Sequence, residues 1–224
     1  MANKELIQDK DISAIVLCGG QGSRMGGLDK GLQHFRGQSL AQGIVNQLRP
    51  QVSRVMINAN RNLATYQSFC DEVWPDPEGE SKGPLAGFLV GLMHCPSAYL
   101  MTVPCDTPLL PNDLCLRLKQ ALSDSSAPLA MVRSLDSPPG MGTRKLKTQP
   151  VLSMMNVHVR EHLMAYVNEG GRKVEAWAQQ VNVVWVDYDQ EGDDPMSFYN
   201  INTLDELQAL ERLQIPTPRV QSKV

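Results

Sequence analysis

Residues 12–32 read Ile-Ser-Ala-Ile-Val-Leu-Cys-Gly-Gly-Gln-Gly-Ser-Arg-Met-Gly-Gly-Leu-Asp-Lys-Gly-Leu. The apolar, partly β-branched run Ala14–Leu17 stops at Gly19, as a short buried strand does. Gly19, Gly20, Gly22, Gly26 and Gly27 follow, interleaved with Arg24, Asp29 and Lys30. Glycine lets the backbone turn sharply and brings its N–H groups close to a ligand. A strand that runs into a glycine-rich turn carrying two cations suits a polyanion, of which phosphate is the usual one. Two common phosphate signatures are absent. A dinucleotide fingerprint starting at Gly20 needs glycine at 25, where Met25 stands, and no Gly-Lys-Ser/Thr occurs.

Working outward, apolar runs predict further strands at Arg54–Ile57, Glu72–Trp74, Tyr99–Val103, Leu129–Val132, Pro150–Met154 and Val183–Val186. Between them, helical spacing predicts helices after a Ser39 cap, over Leu63–Phe69, from Pro84, over Pro111–Leu122, Val159–Asn168 and Lys173–Gln180, and last over Leu204–Leu213. Residues 134–149, with Pro138, Pro139, Gly140, Gly142, Arg144, Lys145 and Lys147, read as a long irregular binding loop. Alternating strands and helices predict one open, mostly parallel α/β sheet over 12–214, with a frayed N-terminus at 1–11 and a flexible tail at 215–224. Ligands of such sheets sit beyond the carboxyl ends of the strands. The polar clusters at 18–30, 58–61 and 104–107 all follow predicted strands, so they are expected to converge.

Composition narrows the class. The chain has 224 residues, 42% hydrophobic and 20% charged, with a net charge of −3, which disfavours a broad nucleic-acid surface. No apolar stretch approaches the roughly 20 residues of a membrane span, and no signal-peptide pattern is seen. Five cysteines with no Cys-x-x-Cys pair predict reduced thiols and a cytoplasmic setting.

Asp106 stands out among the carboxylates. Pro104 and Pro108 bracket it at the end of an apolar strand, where one carboxylate could hold Mg²⁺ beside substrate phosphates or could cap the following helix. Asn200 and Asn202 flank Ile201, which puts both amides on one face of an extended chain. They can meet a ligand, and Asn202 or Thr203 can cap the last helix with Glu206 reaching back. Asn58, Asn60, Arg61 and Asp76 end strands and can face a base or shape turns. His34, His94, His158 and His162 lack metal-ligand spacing, and no Gly-x-Ser-x-Gly nucleophile occurs.

These residues resemble a known family. Leu17-Cys18-Gly19-Gly20-Gln21-Gly22-Ser23-Arg24-Met25-Gly26-Gly27-Leu28-Asp29-Lys30 is similar to the signature of nucleotidyltransferases that activate sugars and cofactors. The Met-Gly-Gly-x-Asp-Lys ending resembles the molybdenum cofactor guanylyltransferases. So do Asn58-Ala59-Asn60-Arg61, Gly83-Pro84-Leu85-Ala86-Gly87, Pro104-Cys105-Asp106-Thr107-Pro108 and Asn200-Ile201-Asn202-Thr203. Cys18 stands where that family usually has Ala, and 134–149 matches it poorly.

The resemblance implies a single-domain, Rossmann-like three-layer sandwich with a mostly parallel sheet. It implies GTP and molybdenum-carrying molybdopterin as substrates, Mg²⁺ as the metal, and a guanine dinucleotide cofactor and pyrophosphate as products. Leu17, Cys18, Gly19, Gly20, Gly22, Lys30, Asn58, Asp76 and Asp106 would then contact the nucleotide, with Arg24, Lys30 and Asp106 catalytic and Asp106 on the metal. Asn200, Asn202, Arg172 and Lys173, with Arg144 and Lys145, are candidates for the pterin side. Neighbouring readings are a CTP-dependent molybdopterin cytidylyltransferase, a sugar-phosphate nucleotidyltransferase, or a non-catalytic accessory protein that hands cofactor to molybdoenzymes or their chaperones.

Overall fold

A computed structural model describes residues 6–19, 27–70, 72–77, 83–135 and 145–213. Gly20, Gly22, Arg24, Arg144, residues 1–5 and all of the predicted tail 215–224 lie outside the described residues. The predicted frayed N-terminus is corrected at its inner end, where Asp9–Asp11 form a 3-10 turn and Asp9 accepts from Lys119 Nζ at 2.6 Å. A seven-stranded sheet forms the centre. Its strands are β1 (Ile12–Leu17), β4 (Arg54–Asn58), β5 (Val73–Trp74), β6 (Tyr99–Pro104), β7 (Leu129–Leu135), β8 (Leu146–Asn156) and β9 (Val183–Tyr188), in the order β5-β4-β1-β6-β8-β7-β9. Only β8 runs against its neighbours, pairing antiparallel with β6 and β7. The other six strands therefore point the same way, and their carboxyl ends share one edge.

The helices cover both faces. Successive side chains of a strand point to opposite sides, so a strand buried on both faces reads as a continuous apolar run. On one face Ile12, Ala14 and Val16 pack with α1 (Leu40–Leu48) and α4 (Leu114–Asp124). On the other, Ile15 packs with α3 (Pro84–His94), α5 (Arg160–Asn168) and α6 (Val174–Gln180). Ser39 caps α1, accepting from the Gln42 N–H at 3.3 Å, and Pro84 opens α3. A short α2 (Leu63–Gln67) lies between β4 and β5.

A third, smaller cluster has no counterpart in the sequence reading. Phe35, Leu40, Leu109, Ile201, Leu207 and Leu210 join the hairpin β2 (His34–Phe35) and β3 (Gln38–Ser39) to α7 (Leu204–Arg212). The hairpin turns through Arg36 (φ 52°) and Gly37 (φ 83°), the positive-φ pair that a two-residue connection needs.

The predicted irregular loop at 134–149 is corrected at both ends. β7 continues to Leu135 and β8 begins at Leu146, so Ser134 pairs with Lys147. The pairing jumps between Met131 and Val132, from Ser153 to Gln149, so Pro150 falls in the irregularity. Proline has no N–H to give a ladder, and a bulge accommodates it. The predicted helix from Pro111 begins as a turn, with the Leu114 N–H on the Pro111 carbonyl at 3.2 Å, and becomes α4 at Leu114.

Candidate active site

The strand ends converge as their sequence positions predicted. Leu17 lies level with Asn58 on β4 and with Pro104 on β6. The Cys18 N–H donates to the Asn58 carbonyl at 2.8 Å, and the Cys105 N–H to the Leu17 carbonyl at 3.2 Å. The sheet ladder thus runs directly into the two segments that carry Gly19 and Asp106.

Asp106 is the centre. Lys30 Nζ donates to Asp106 Oδ2 at 2.6 Å and to Asn202 Oδ1 at 3.3 Å. Thr107 Oγ1 donates to Asn200 Oδ1 at 2.6 Å, and the Ile201 N–H to the Asp106 carbonyl at 2.9 Å. Ile201 is fully buried in the third cluster, so its two asparagine neighbours both turn toward the 106–107 corner. Helix capping falls to Thr203, which accepts from the Glu206 N–H at 3.1 Å while Glu206 accepts from the Thr203 and Asn202 N–H groups. That leaves the Asn202 side chain for Lys30. Asp106 caps no helix, since Asp113 precedes α4.

The second cluster sits at the β4 and β5 ends. Asn58 is 3% exposed, and its amide donates to Asp76 Oδ1 at 2.9 Å and to the Trp74 carbonyl at 3.1 Å. Asn60 donates to Asp76 Oδ2 at 2.8 Å and accepts from the Asp76 N–H at 2.7 Å. Asn58 therefore stands behind Asp76 and aims it, while Asp76 remains partly exposed. Gly19 lies over this trio: a Cβ there would come within 3.2 Å of Asn60 Nδ2 and 3.3 Å of Asn58 Oδ1. Gly87 matters equally, because a Cβ on it would meet Leu17 at 2.7 Å and Asn58 Oδ1 at 2.8 Å. Only glycine lets the first turns of α3 close against these strand ends.

A cavity of about 260 Å³ opens on the same edge, between the β7 and β9 ends and the 189–198 segment. Ser134, Tyr188, Asp189, Gly192, Asp194 and Phe198 line it, the last only two residues before Asn200. Arg117 of α4 pins this segment through Asp193 and by lying 4.1 Å over the Tyr188 ring, and Asp113 at the start of α4 steadies it, accepting from Arg117 Nε at 2.7 Å. The carboxylate of Asp193, foremost, holds the Arg117 guanidinium in its charged form.

Other predicted residues fall elsewhere. Arg172 and Lys173 are exposed on the α5–α6 turn, where Arg172 donates to the Gly171 and Val167 carbonyls at 2.7 and 3.0 Å and so closes the end of α5. Lys145 is exposed just before β8. His162 accepts from Trp177 Nε1 at 3.2 Å, and His94 stacks on Trp74 at 3.7 Å. Among the described residues no group of three or more His, Cys, Asp and Glu side chains is placed to hold a metal. Three residues to which the sequence reading gave no role are bonded in or beside the site: Thr107 to Asn200 within it, and Asn62 and Tyr66 to Asp29, the neighbour of Lys30. Thr107 carried a signal, as it follows Asp106 in the quoted motif. Tyr66 and Asn62 carried none.

Comparison with known proteins agrees with this architecture. Residues 14–184 match the family model described as a MobA-like NTP transferase domain. A molybdenum cofactor guanylyltransferase of Acidovorax ebreus is 51% identical over 208 residues, covering 93% of this chain and 99% of the relative. That of Methylibium petroleiphilum is 47% identical over 210 residues, covering 94% and 100%. In structure, the molybdopterin-guanine dinucleotide biosynthesis protein A of Archaeoglobus fulgidus aligns with a TM-score of 0.72 at 20% identity, covering 90% of this chain and 97% of that one. A CMP-2-keto-3-deoxy-manno-octonic acid synthetase shares the fold, with a TM-score of 0.68 at 14% identity and coverage of 91% and 98%. The chain belongs to the molybdenum cofactor guanylyltransferase family of nucleotidyltransferases.

Proposed function

We propose that the chain transfers GMP from GTP to the terminal phosphate of molybdenum-carrying molybdopterin, forming the guanine dinucleotide cofactor and releasing pyrophosphate. The observation that carries this reading is the meeting of Lys30, Asp106 and Asn202 at the carboxyl end of β6. In the sheet order β6 stands between the β1-β4-β5 side, with Gly19 and Asp76, and the β7-β9 side, with the 260 Å³ cavity. GTP occupies the first side and the pterin substrate the second, so the reacting phosphates meet at Asp106.

The attacking oxygen belongs to a phosphate monoester that is already anionic near neutral pH, its second pKa being about 6. No side chain has to remove a proton, which suits a site where the described residues around Asp106 include no histidine or serine nucleophile. The oxygen bonds to the α-phosphorus of GTP, the bond from that phosphorus to the β-phosphate bridge breaks, and the electron pair leaves with pyrophosphate. The obstacle is repulsion between two anions. Lys30 offsets it, together with loop N–H groups and Arg24. Lys30 Nζ lies 2.6 Å from Asp106 Oδ2, and in this reading its ammonium also meets the phosphate oxygens.

The donor set fits Mg²⁺, which is bound by one or two carboxylates with substrate phosphates and waters rather than by a cage of protein ligands. Asp106 supplies the carboxylate, and the amide oxygens of Asn200 and Asn202 lie on the same corner. The bound ion would draw charge from the phosphates and the departing pyrophosphate.

Calorimetry with GTP and CTP in the presence of Mg²⁺, followed by pyrophosphate release on adding molybdenum-molybdopterin, tests the reading. GTP is expected to bind more tightly and to be turned over. Tighter CTP binding points to a cytidylyltransferase, and nucleotide binding without pyrophosphate release points to a carrier.

A further inference from the structure

Asp29 adjoins Lys30, yet the scheme above gives it nothing to do. It is only 8% exposed. A carboxylate removed from water keeps its charge only when donors surround it. Here Tyr66 donates its phenol proton to Oδ1 at 2.6 Å, Asn62 its amide to Oδ2 at 2.9 Å, and Arg61 Nε stands 3.6 Å from Oδ2. Arg61 also donates to the carbonyls of Gly27 and Leu28, at 2.8 and 3.0 Å. One short segment, 61–66, thus grips residues 27–29, the return leg of the glycine loop.

The grip reaches Lys30 through the backbone. The Asp29 carbonyl accepts from the Leu32 N–H at 3.2 Å and from Gln33 Nε2 at 2.8 Å, closing the single 3-10 turn Lys30–Leu32. Gly31 lies so close under Tyr66 that a Cβ would come 2.5 Å from the phenol oxygen. Tyr66 is itself fully buried, and burial together with neighbouring Cys18 and Asp29 pushes its phenol well above the ordinary range, so it stays a donor. Asn62 holds a left-handed backbone (φ 53°), which Asn tolerates better than most residues.

We infer that Asp29 is a positioning residue, locked by Tyr66 and Asn62, and that it fixes the backbone from which Lys30 reaches Asp106 and the triphosphate. Lysine carries its charge on a flexible four-carbon stem, so its aim depends on how firmly its root is held. The inference rests on the assignment of Lys30 to the triphosphate. It differs from an ordinary packing role in one respect: the hydroxyl of Tyr66 matters to the nucleotide only while the Lys30 ammonium is present.

A double-mutant cycle on the full chain reads that difference. Dissociation constants for GTP with Mg²⁺ are measured by calorimetry for the wild type, Lys30→Ala, Tyr66→Phe and the double variant, with thermal unfolding followed in parallel. Each single substitution is expected to weaken GTP by about fivefold or more, and Tyr66→Phe to change affinity by less than about twofold once Lys30 is gone. Equal weakening by Tyr66→Phe in both backgrounds overturns the inference, as does wild-type affinity in Tyr66→Phe alone. Wild-type affinity in Lys30→Ala fails the Lys30 assignment itself, a separate result. Should Tyr66→Phe not fold, Asn62→Gly carries the same cycle with the same expectations. It removes the amide from an exposed position and keeps the left-handed backbone accessible.

Discussion

Lys30 Nζ stands 2.6 Å from Asp106 Oδ2, across 76 residues of sequence. The two side chains are 20% and 23% exposed, so water still reaches the pair. Its worth to stability is therefore small, about 1 kcal/mol or less. Its worth to the proposed reaction is larger, because in that reading the same two groups face the phosphates where charge shifts.

Asp106→Ala is accordingly expected to lower turnover by about 10²-fold or more while moving the melting temperature by only a few degrees. Pyrophosphate release and a thermal melt check the two halves separately. A wild-type rate in purified Asp106→Ala removes this residue from the metal and from catalysis.

Thr203 closes a capping box with Glu206 while the Asn202 side chain, one residue earlier, meets Lys30. Thr203→Ala is expected to cost about 1 kcal/mol, or roughly 2–4 °C, through loss of the cap. It should also lower kcat, since the chain that presents Asn202 enters α7 at this point. Stability lost with full kcat retained would confine Thr203 to the helix.

Arg117 holds the segment that lines the 260 Å³ cavity. Arg117→Met keeps much of the packing over Tyr188 but leaves Asp193, whose side chain is 9% exposed, without its guanidinium. Urea unfolding should show a loss of about 1–3 kcal/mol. If the pterin substrate enters beside this segment, its KM rises while the GTP dissociation constant holds. A rise confined to GTP would place the substrates the other way round.

Alkaline pH should unfold the protein early. Burial pushes the Cys115 thiol from 9.0 up to about 11, and pushes Cys18 and Tyr66 upward from 9.0 and 10.0 as well. All three groups are neutral when protonated and raised in the folded state, so above pH 9 the unfolded chain gives up protons first. The unfolded state then holds fewer protons, and stability falls as pH rises. Their contribution is complete below pH 9 and is lost above it. Thermal melts from pH 8 to 11 are expected to show a flat melting temperature up to about pH 9 and a progressive fall beyond it. In Cys115→Ala the fall should be shallower.

The fold was legible in the sequence because its signals are local. Ala14–Leu17 reads as a buried strand from its own side chains, and Gly19 and Pro104 mark the ends of their strands through their own backbones. Parallel strands separated by helices then carry Asp106, Asn58 and the glycine loop to one edge with no knowledge of register. The Asn200-Ile201-Asn202 spacing was likewise sufficient to put both amides on one face. What these groups touch was not legible. Asn58 reads as a base contact or a turn former, the first favoured only by its place at a strand end, and only the level pairing of β4 with β5 turns its amide onto Asp76. The hairpin of β7 and β8 was obscured by Pro150, whose effect the bulge absorbs. Tyr66 looks like any aromatic on a short helix until α2 is packed beside residues 27–31.

The sequence by itself determined that this chain gathers its polar clusters at one edge of a mostly parallel sheet, with Lys30 and Asp106 among their charges. Tertiary structure alone decided that Lys30 meets Asp106, that Thr107 meets Asn200, and that Asp29 is held by Tyr66. The physical reason is range. Strand, turn and cap preferences act over a few residues, whereas these bonds span 76, 93 and 37 residues and exist only because strand register and helix packing bring their partners within 3 Å.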